Sequence, residues 1–269
     1  MKTKVLLALA CSLGALACEE NKYDSILAKE ASTEAPLAAP VEAAPPPAPA
    51  ATPAATATWT KKSAADCKPH PATIDFEGDS VLEAEVRRKV GKDKGPITPA
   101  DLAQVKSLNL TAGHPHQIDP CIFPMFTSLK DLFLGPGEYD DLTPLQKLPL
   151  EALVAASSPI KDLHPIEGMK RLDRLDLSHT LIDDTSLKAV AGLVNLTELM
   201  LDEDAISDLS PIGGLQKLQR LSIKSTQVKS LQPIAGIRTL KFLYIANTPI
   251  SDISPVQGLI SGGMKLVQK

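Results

Sequence analysis

Three stretches of the chain repeat one wording at a fixed interval of 22 residues: LMLDEDAISDLSPIGGL (199–215), LSIKSTQVKSLQPIAGI (221–237) and LYIANTPISDISPVQGL (243–259). A recurrence of this length is the strongest constraint a sequence can place on its fold. One such unit has too little apolar surface to enclose a core, but stacked units share a continuous one. The underlying pattern is L-x-x-L-x-L. It runs through Val105-Leu108-Leu110, Leu129-Leu132-Leu134, Leu150-Leu153-Ala155, Leu172-Leu175-Leu177, Leu196-Leu199-Leu201, Leu218-Leu221-Ile223 and Leu240-Leu243-Ile245. The starting positions step by 24, 21, 22, 24, 22 and 22 residues. Hydrophobic residues make up 43% of the chain and aromatics only 3%, so the shared interior is aliphatic.

Each unit continues in the same way. After the strand-like core comes a small polar turn residue, Ser158, Thr180, Asp204, Thr226 or Thr248, able to hydrogen-bond neighbouring backbone groups. An inward Ile or Val follows (Ile160, Ile182, Ile206, Val228, Ile250), and then a proline at one offset: Pro144, Pro165, Pro211, Pro233 or Pro255. A fixed φ suits an outer side without a helical ladder. This pattern resembles the leucine-rich repeat family, in the short bacterial form of internalin-like proteins. The resemblance covers about 155 residues, with Ser, Thr or Asp where that family usually has Asn. It implies an α/β solenoid of about seven coils over 105–260, with a parallel β-sheet on the concave face.

Two units depart from the pattern. The segment LIDDTSLKAVAGLVNL (181–196) lacks the proline and is two residues longer, and its Leu187, Val190 and Leu193 predict a short helix on the outer side. The second unit contains the irregular run TAGHPHQIDPCIFPMFTS. Ahead of the repeats, DSVLEAEVRRKVG (79–91) predicts a covering helix. Ser80 and Glu83 read as its capping pair, Leu82, Val86 and Val90 as its apolar side, and Gly91 as its terminator. Thr98, Pro99 and Asp101 predict a second short turn, the run ITPADLAQVKSLNL resembles the N-terminal cap of the family, and 67–104 reads as a helical cap. Residues 261–269 carry no capping pattern and read as a tail.

The opening residues have another logic. Lys2 and Lys4 precede thirteen mostly apolar residues, too few for a bilayer core that needs about 20, and fit an export signal over 1–17. The stretch Ala15 to Cys18 (ALAC) resembles a bacterial lipobox, which implies lipidation of Cys18. Ala15 stands where that family usually has Leu, and Ala15-Leu16-Ala17 also reads as an ordinary cleavage site. Residues 18–66 read as a disordered tether, since 35–57 hold seven Pro and eleven Ala. Such a segment buries too little to offset its ordering entropy. The order of signal, tether and module predicts a bacterial cell-envelope lipoprotein, facing the periplasm or surface. A net charge of −4 argues against a nucleic-acid partner.

Function then falls to the residues flanking the inward leucines, which point out of the concave face in columns. The first is Asp131, Ala152, Arg174, Glu198, Arg220, Phe242; the second Phe133, Val154, Asp176, Met200, Ser222, Tyr244; the third Gly135, Ala156, Ser178, Asp202, Lys224, Ala246. Arg174, Glu198 and Arg220 alternate in sign, as in a self-satisfied surface ladder or, alternatively, a charged ligand clamp. Phe133, Phe242 and Tyr244 read as interface anchors, or, for the last two, as a shield over an uncapped final coil. With Val154, Asp176 and Met200 these residues form the expected site for an unidentified protein partner. A structural envelope component that self-associates is the alternative, and carbohydrate recognition is weakened by the scarcity of aromatics. Cys67 and Cys121 form an even pair in an exported chain, where a disulfide is the default. A Cys-His zinc set (Cys67, His70, His114, His116, Cys121) has no known spacing. Catalytic signatures are lacking, His164 and His179 lie apart from any activated nucleophile, and Asp183-Asp184 reads as a solvated turn. No cofactor is expected.

Overall fold

The computed structural model describes residues 72–268 apart from 77, 113–117 and 138. The export signal, Cys18, the tether, Cys67, His70, His114 and His116 lie outside the described residues.

The L-x-x-L-x-L segments form strands of three residues each: β1 (Ser107–Asn109), β2 (Asp131–Phe133), β3 (Ala152–Val154), β4 (Arg174–Asp176), β5 (Glu198–Met200), β6 (Arg220–Ser222) and β7 (Phe242–Tyr244). An eighth, β8 (Lys265–Val267), follows, and the eight make one parallel sheet in sequence order. The architecture is a leucine-rich-repeat solenoid. Pairing is in register throughout: Leu108, Leu132, Leu153, Leu175, Leu199, Leu221, Leu243 and Leu266 are successive partners. The first seven of these are at most 1% exposed. Full burial of such a side chain is worth about 1.5–3 kcal/mol, so this single ladder is a large part of the folding free energy.

Strands stop after three residues because the chain then turns through a left-handed residue. Ser157, His179, Glu203, Ser225 and Asn247 have φ between 55° and 60°, one per coil, and none is glycine. That conformation costs roughly 1 kcal/mol for an ordinary L-residue. It is compensated by hydrogen bonds to the next coil: Ser157 N–H to Ser178 O (2.9 Å), His179 to Asp202 (2.7 Å), Glu203 to Lys224 (2.8 Å) and Ser225 to Ala246 (2.8 Å). The polar turn residues come next; Ser158, Thr180, Asp204 and Thr226 are buried and Thr248 is half-buried. Thr226 and Thr248 donate to the carbonyls of Ile223 and Ile245, both at 2.7 Å.

On the outer side the prolines open one-turn 3-10 helices: Thr143–Leu145, His164–Ile166, Ser210–Ile212, Gln232–Ile234 and Ser254–Val256. An Asp two residues earlier starts four of the five bends and a Ser the other. The Asp141, Asp162, Asp208 and Asp252 carboxylates accept the backbone N–H of Thr143, His164, Ser210 and Ser254 at 2.7–2.8 Å, and Ser230 serves Gln232 in the same way. The longer coil carries the expected helix as a seven-residue 3-10 segment, Ser186–Gly192, with Leu187 and Val190 fully buried.

The N-terminal cap is helix α1 (Ser80–Val90) with α2 (Pro99–Leu102). Its N-cap is Asp79, not Ser80. The Asp79 carboxylate accepts the N–H groups of Val81 and Leu82, while Ser80 is already helical and Glu83 pairs with Arg87 at 2.8 Å. Asp and Ser are comparable caps, and it is the Asp79 carboxylate, one residue earlier, that meets the first free N–H groups of the helix. Gly91 ends the helix at φ +69°, and Thr98 and Asp101 form a reciprocal capping box. Lys92, donating to Asp101, together with Thr98 holds that carboxyl down at about 2. Glu85 of α1 accepts the N–H of Asn109 on β1 (3.2 Å), sealing the first edge of the sheet.

At the other end, residues read as a tail behave as structure. Helix α3 (Gln257–Ser261) turns at Gly262 and Gly263, and β8 adds to β7 with Leu266 in the ladder position. Leu266 is only half-buried, because nothing among the described residues stacks beyond it. The ladder therefore predicts graded costs. Leu199→Ala should destabilise by about 3 kcal/mol in urea unfolding, and Leu266→Ala by less than half as much. Equal losses at the two sites would contradict a core that tapers at β8.

Candidate partner-binding face

Because every strand is in register, the side chains flanking the ladder stand in columns across the face, and neighbours are about 4.8 Å apart. One column runs Ser107, Asp131, Ala152, Arg174, Glu198, Arg220, Phe242, Lys265. The other runs Asn109, Phe133, Val154, Asp176, Met200, Ser222, Tyr244, Val267. All nine residues singled out from the sequence are half-buried and lie on this one face.

The structure brings Phe242 and Tyr244 together and keeps Phe133 apart. The two rings of β7 stack with centroids 6.5 Å apart and planes at 14°. Phe133 lies on β2, five strands away, roughly 24 Å along the sheet. Arg220 from β6 places its guanidinium 5.1 Å from the Phe242 centroid, and Lys265 from β8 brings its ammonium to 5.5 Å. With β8 packed outside β7, these aromatics do not close the end of the solenoid. Arg174, Glu198 and Arg220 are direct register partners on β4, β5 and β6, and Arg174 also meets Asp173 at 3.4 Å.

Beside this face lies a feature that residue-by-residue reading missed. Asp176, Asp202 and Asp204 converge where β4 and β5 enter their turns. Asp202 is well held: it accepts from the Ser222 hydroxyl and the Lys224 N–H (2.8 Å) and pairs with the Lys224 ammonium at 2.9 Å. Asp204 is 3% exposed, and its Oδ1 accepts the Thr180 N–H (2.8 Å) and hydroxyl (3.0 Å) from the preceding coil. Its Oδ2 is buried without a partner. Burial pushes the Asp204 carboxyl up to about 7, with the Thr180 bonds opposing and the charges of Asp176 and Asp202 adding to the rise. Burial likewise raises Asp176, against two bonds from Ser178. The signal was present in the sequence as an Asp where neighbouring coils have Thr.

The remaining candidate residues that the structure describes have local partners. Cys121 is disulfide-bonded, with its partner outside the described residues. Among the described residues no three His, Cys, Asp or Glu side chains are placed to hold a metal ion. His179 pairs with Glu203 (3.2 Å) and His164 with Glu167 (3.0 Å), both at exposed turns. Asp183 accepts the N–H groups of Thr185 and Ser186 at 2.9 Å, and these bonds, that of Ser186 foremost, lower its pKa; Asp184 accepts those of Ser207 and Asp208. The pair is a turn that also pins one coil to the next. An open recess of about 700 Å³ lies on the outer side beside the longer coil, among Lys161, Asp162, His164, Glu167, Asp183 and Lys188. Ser186 at its rim is engaged with Asp183.

The comparisons agree with this geometry. Internalin C2 of Listeria monocytogenes is 27% identical to this chain, covering 75% of it and all of the internalin C2 chain, with a TM-score of 0.62. An internalin F from the same organism is 21% identical with a TM-score of 0.56, covering 71% of this chain and 62% of its own. No protein-family model matches the chain, and the curated proteins give no match. The likeness is to bacterial leucine-rich-repeat proteins, a solenoid class whose stacked coils create extended concave binding surfaces.

Asp204 makes a test of this face possible. Its folded pKa lies above the ordinary 3.8, so the folded state keeps a proton that the unfolded chain releases. That contribution to stability is complete below about pH 4 and is lost as pH rises through about 7. Asp204→Asn removes the buried charge. It should leave stability near pH 3.5 within about 0.5 kcal/mol of wild type and raise it by roughly 1–3 kcal/mol near pH 8. The same difference at both pH values would contradict the assignment.

Proposed function

We propose that this chain is a non-enzymatic, exported lipoprotein of the bacterial cell envelope whose solenoid binds a protein partner through the concave face. Lipid at Cys18, an Ala/Pro tether and a rigid module would hold that face away from the membrane while leaving it free to search. A fully extended 48-residue spacer from Glu19 to Asp66 reaches at most ~150 Å. Among the described residues no helix is long and apolar enough to cross a membrane; the lipid at Cys18 would supply the attachment. A disulfide between Cys67 and Cys121, fastening the start of the cap to the second coil, fits the bonded state of Cys121.

The observation that carries the binding reading is the stacked Phe242 and Tyr244 pair, half-buried on a sheet whose other outward residues, Phe133 apart, are aliphatic, polar or charged. A protein with so few aromatics that sets two on one open strand has placed the side chains that most often dominate interface energies. Met200, Val154 and Phe133 continue the same column toward the N-terminus.

A photo-crosslinking residue at Met200, about 10 Å from Tyr244 along the sheet, should trap one protein in the intact host cell. Phe242→Ala/Tyr244→Ala should abolish that adduct while changing unfolding free energy by less than about 1.5 kcal/mol. An adduct that survives the double change, or a variant that unfolds, would remove the aromatics from the binding role. Anchoring is tested separately by mass spectrometry of the mature N-terminus: a lipid-modified Cys18 is expected, and an unmodified one ends the claim.

A further inference from the structure

The charges of the face are segregated along the solenoid. From 129 to 202 the strand segments and their flanking residues hold Asp131, Glu151, Asp173, Asp176, Glu198 and Asp202 against Lys130 and Arg174. From 218 to 224, 240 to 246 and 263 to 268 they hold Arg220, Lys224, Lys241 and Lys265, and no acid. A chain of net charge −4 thus ends its sheet in a cationic patch, and the stacked aromatic pair lies inside it.

We infer that this C-terminal part of the face receives an acidic, extended peptide segment of the protein partner, an inference that rests on the concave-face reading above. Arg220 and Lys265 approach the Phe242 ring from the strands on either side, at 5.1 and 5.5 Å. Contact with the ring face attracts both cations and limits their rotamers, so less ordering entropy remains to be lost on binding. Glu198 lies in register beyond Arg220, and Lys224 is paired with Asp202, so these two are partly neutralised. Among the described residues Lys241 and Lys265 have no ion pair, and both are exposed.

The spacing suits an extended chain. Arg220 and Lys265 are two strands apart, roughly 10 Å, a distance covered by about three residues of extended peptide. Side chains two apart in an extended segment share one face, so acids at i and i+4, roughly 13 Å apart, reach the long Arg220 and Lys265 side chains while the apolar residue at i+2 lies on Phe242 and Tyr244. Two other polyanions fit worse. A flat bilayer surface does not enter a concave face, and a long nucleic-acid strand crossing it meets the acids of β2 to β5.

The test is a selection from a displayed random twelve-residue peptide library on the full-length chain at low salt, followed by affinity measurements on the enriched sequences. The expected result is enrichment in Asp and Glu, with about tenfold or greater weakening by Arg220→Glu/Lys265→Glu and a comparable loss on raising salt from about 50 to 500 mM. Replacing the peptide's acids with Asn and Gln should weaken binding to the unaltered protein by the same order, which separates charge recognition from any unfolding of the variant. Enriched peptides that need Phe242 and Tyr244 but carry no acidic excess would overturn this inference and leave the concave-face reading standing. Peptides indifferent to both pairs of substitutions, or no enrichment at all, would overturn both. Sedimentation of the chain with phosphatidylglycerol vesicles, lost in Arg220→Glu/Lys265→Glu and without an acidic peptide preference, would assign the patch to membrane instead.

Discussion

The structure depends on one ladder of leucines, one per coil, each touching only the coil before and the coil after. A strand of three residues cannot bury a side chain by itself, so Leu199 is enclosed only because Leu175 and Leu221 stand in register on either side. Burial, strand pairing and the placement of every outward side chain are therefore one event. Slipping a strand by one residue would expose the ladder and invert the face. The site has no existence apart from the stacking.

Each coil also lends its neighbours hydrogen bonds that a lone coil would leave unmade. Four of the five left-handed turn residues, Ser157, His179, Glu203 and Ser225, are tolerable because their N–H groups find carbonyls one coil further on. Asp184 receives Ser207 and Asp208, Asp204 receives Thr180, and Thr197 donates to the Asp173 carboxylate at 2.7 Å. Asp204 is where this economy is least balanced. It satisfies its neighbour with one oxygen and buries the other beside two more carboxylates, making the centre of the solenoid sensitive to protonation where Thr226 in the next coil is neutral.

Much of this was legible in the sequence, for a definite reason: a repeat displays its register on the page. Once the leucines are aligned, the columns from Asp131 to Phe242 and from Phe133 to Tyr244 follow, and the pairing reproduces them residue for residue. The proline offset marked the outer turns because the fixed φ that favours a 3-10 start is local. What the repeat did not announce was harder to see. Strand β8 has one apolar ladder residue, Leu266, after two glycines, too little periodicity to stand out, and its omission left Phe242 and Tyr244 looking terminal. The cap at Asp79 was displaced by one residue because Ser80 also satisfies a capping pattern. The Asp176, Asp202 and Asp204 cluster depends on three side chains meeting at a turn, and no single-coil pattern contains it.

The account of the face stands on the claim that the coils form one continuous stack from β2 to β7. Hydrogen exchange on the intact chain, followed residue by residue, addresses this directly. The account predicts that the strand amides around Leu132, Leu153, Leu175, Leu199, Leu221 and Leu243 are protected to a common level, approaching the free energy of global unfolding. Protection that divides the strands into separately opening blocks, or strand amides that exchange as fast as the exposed turns, would contradict it.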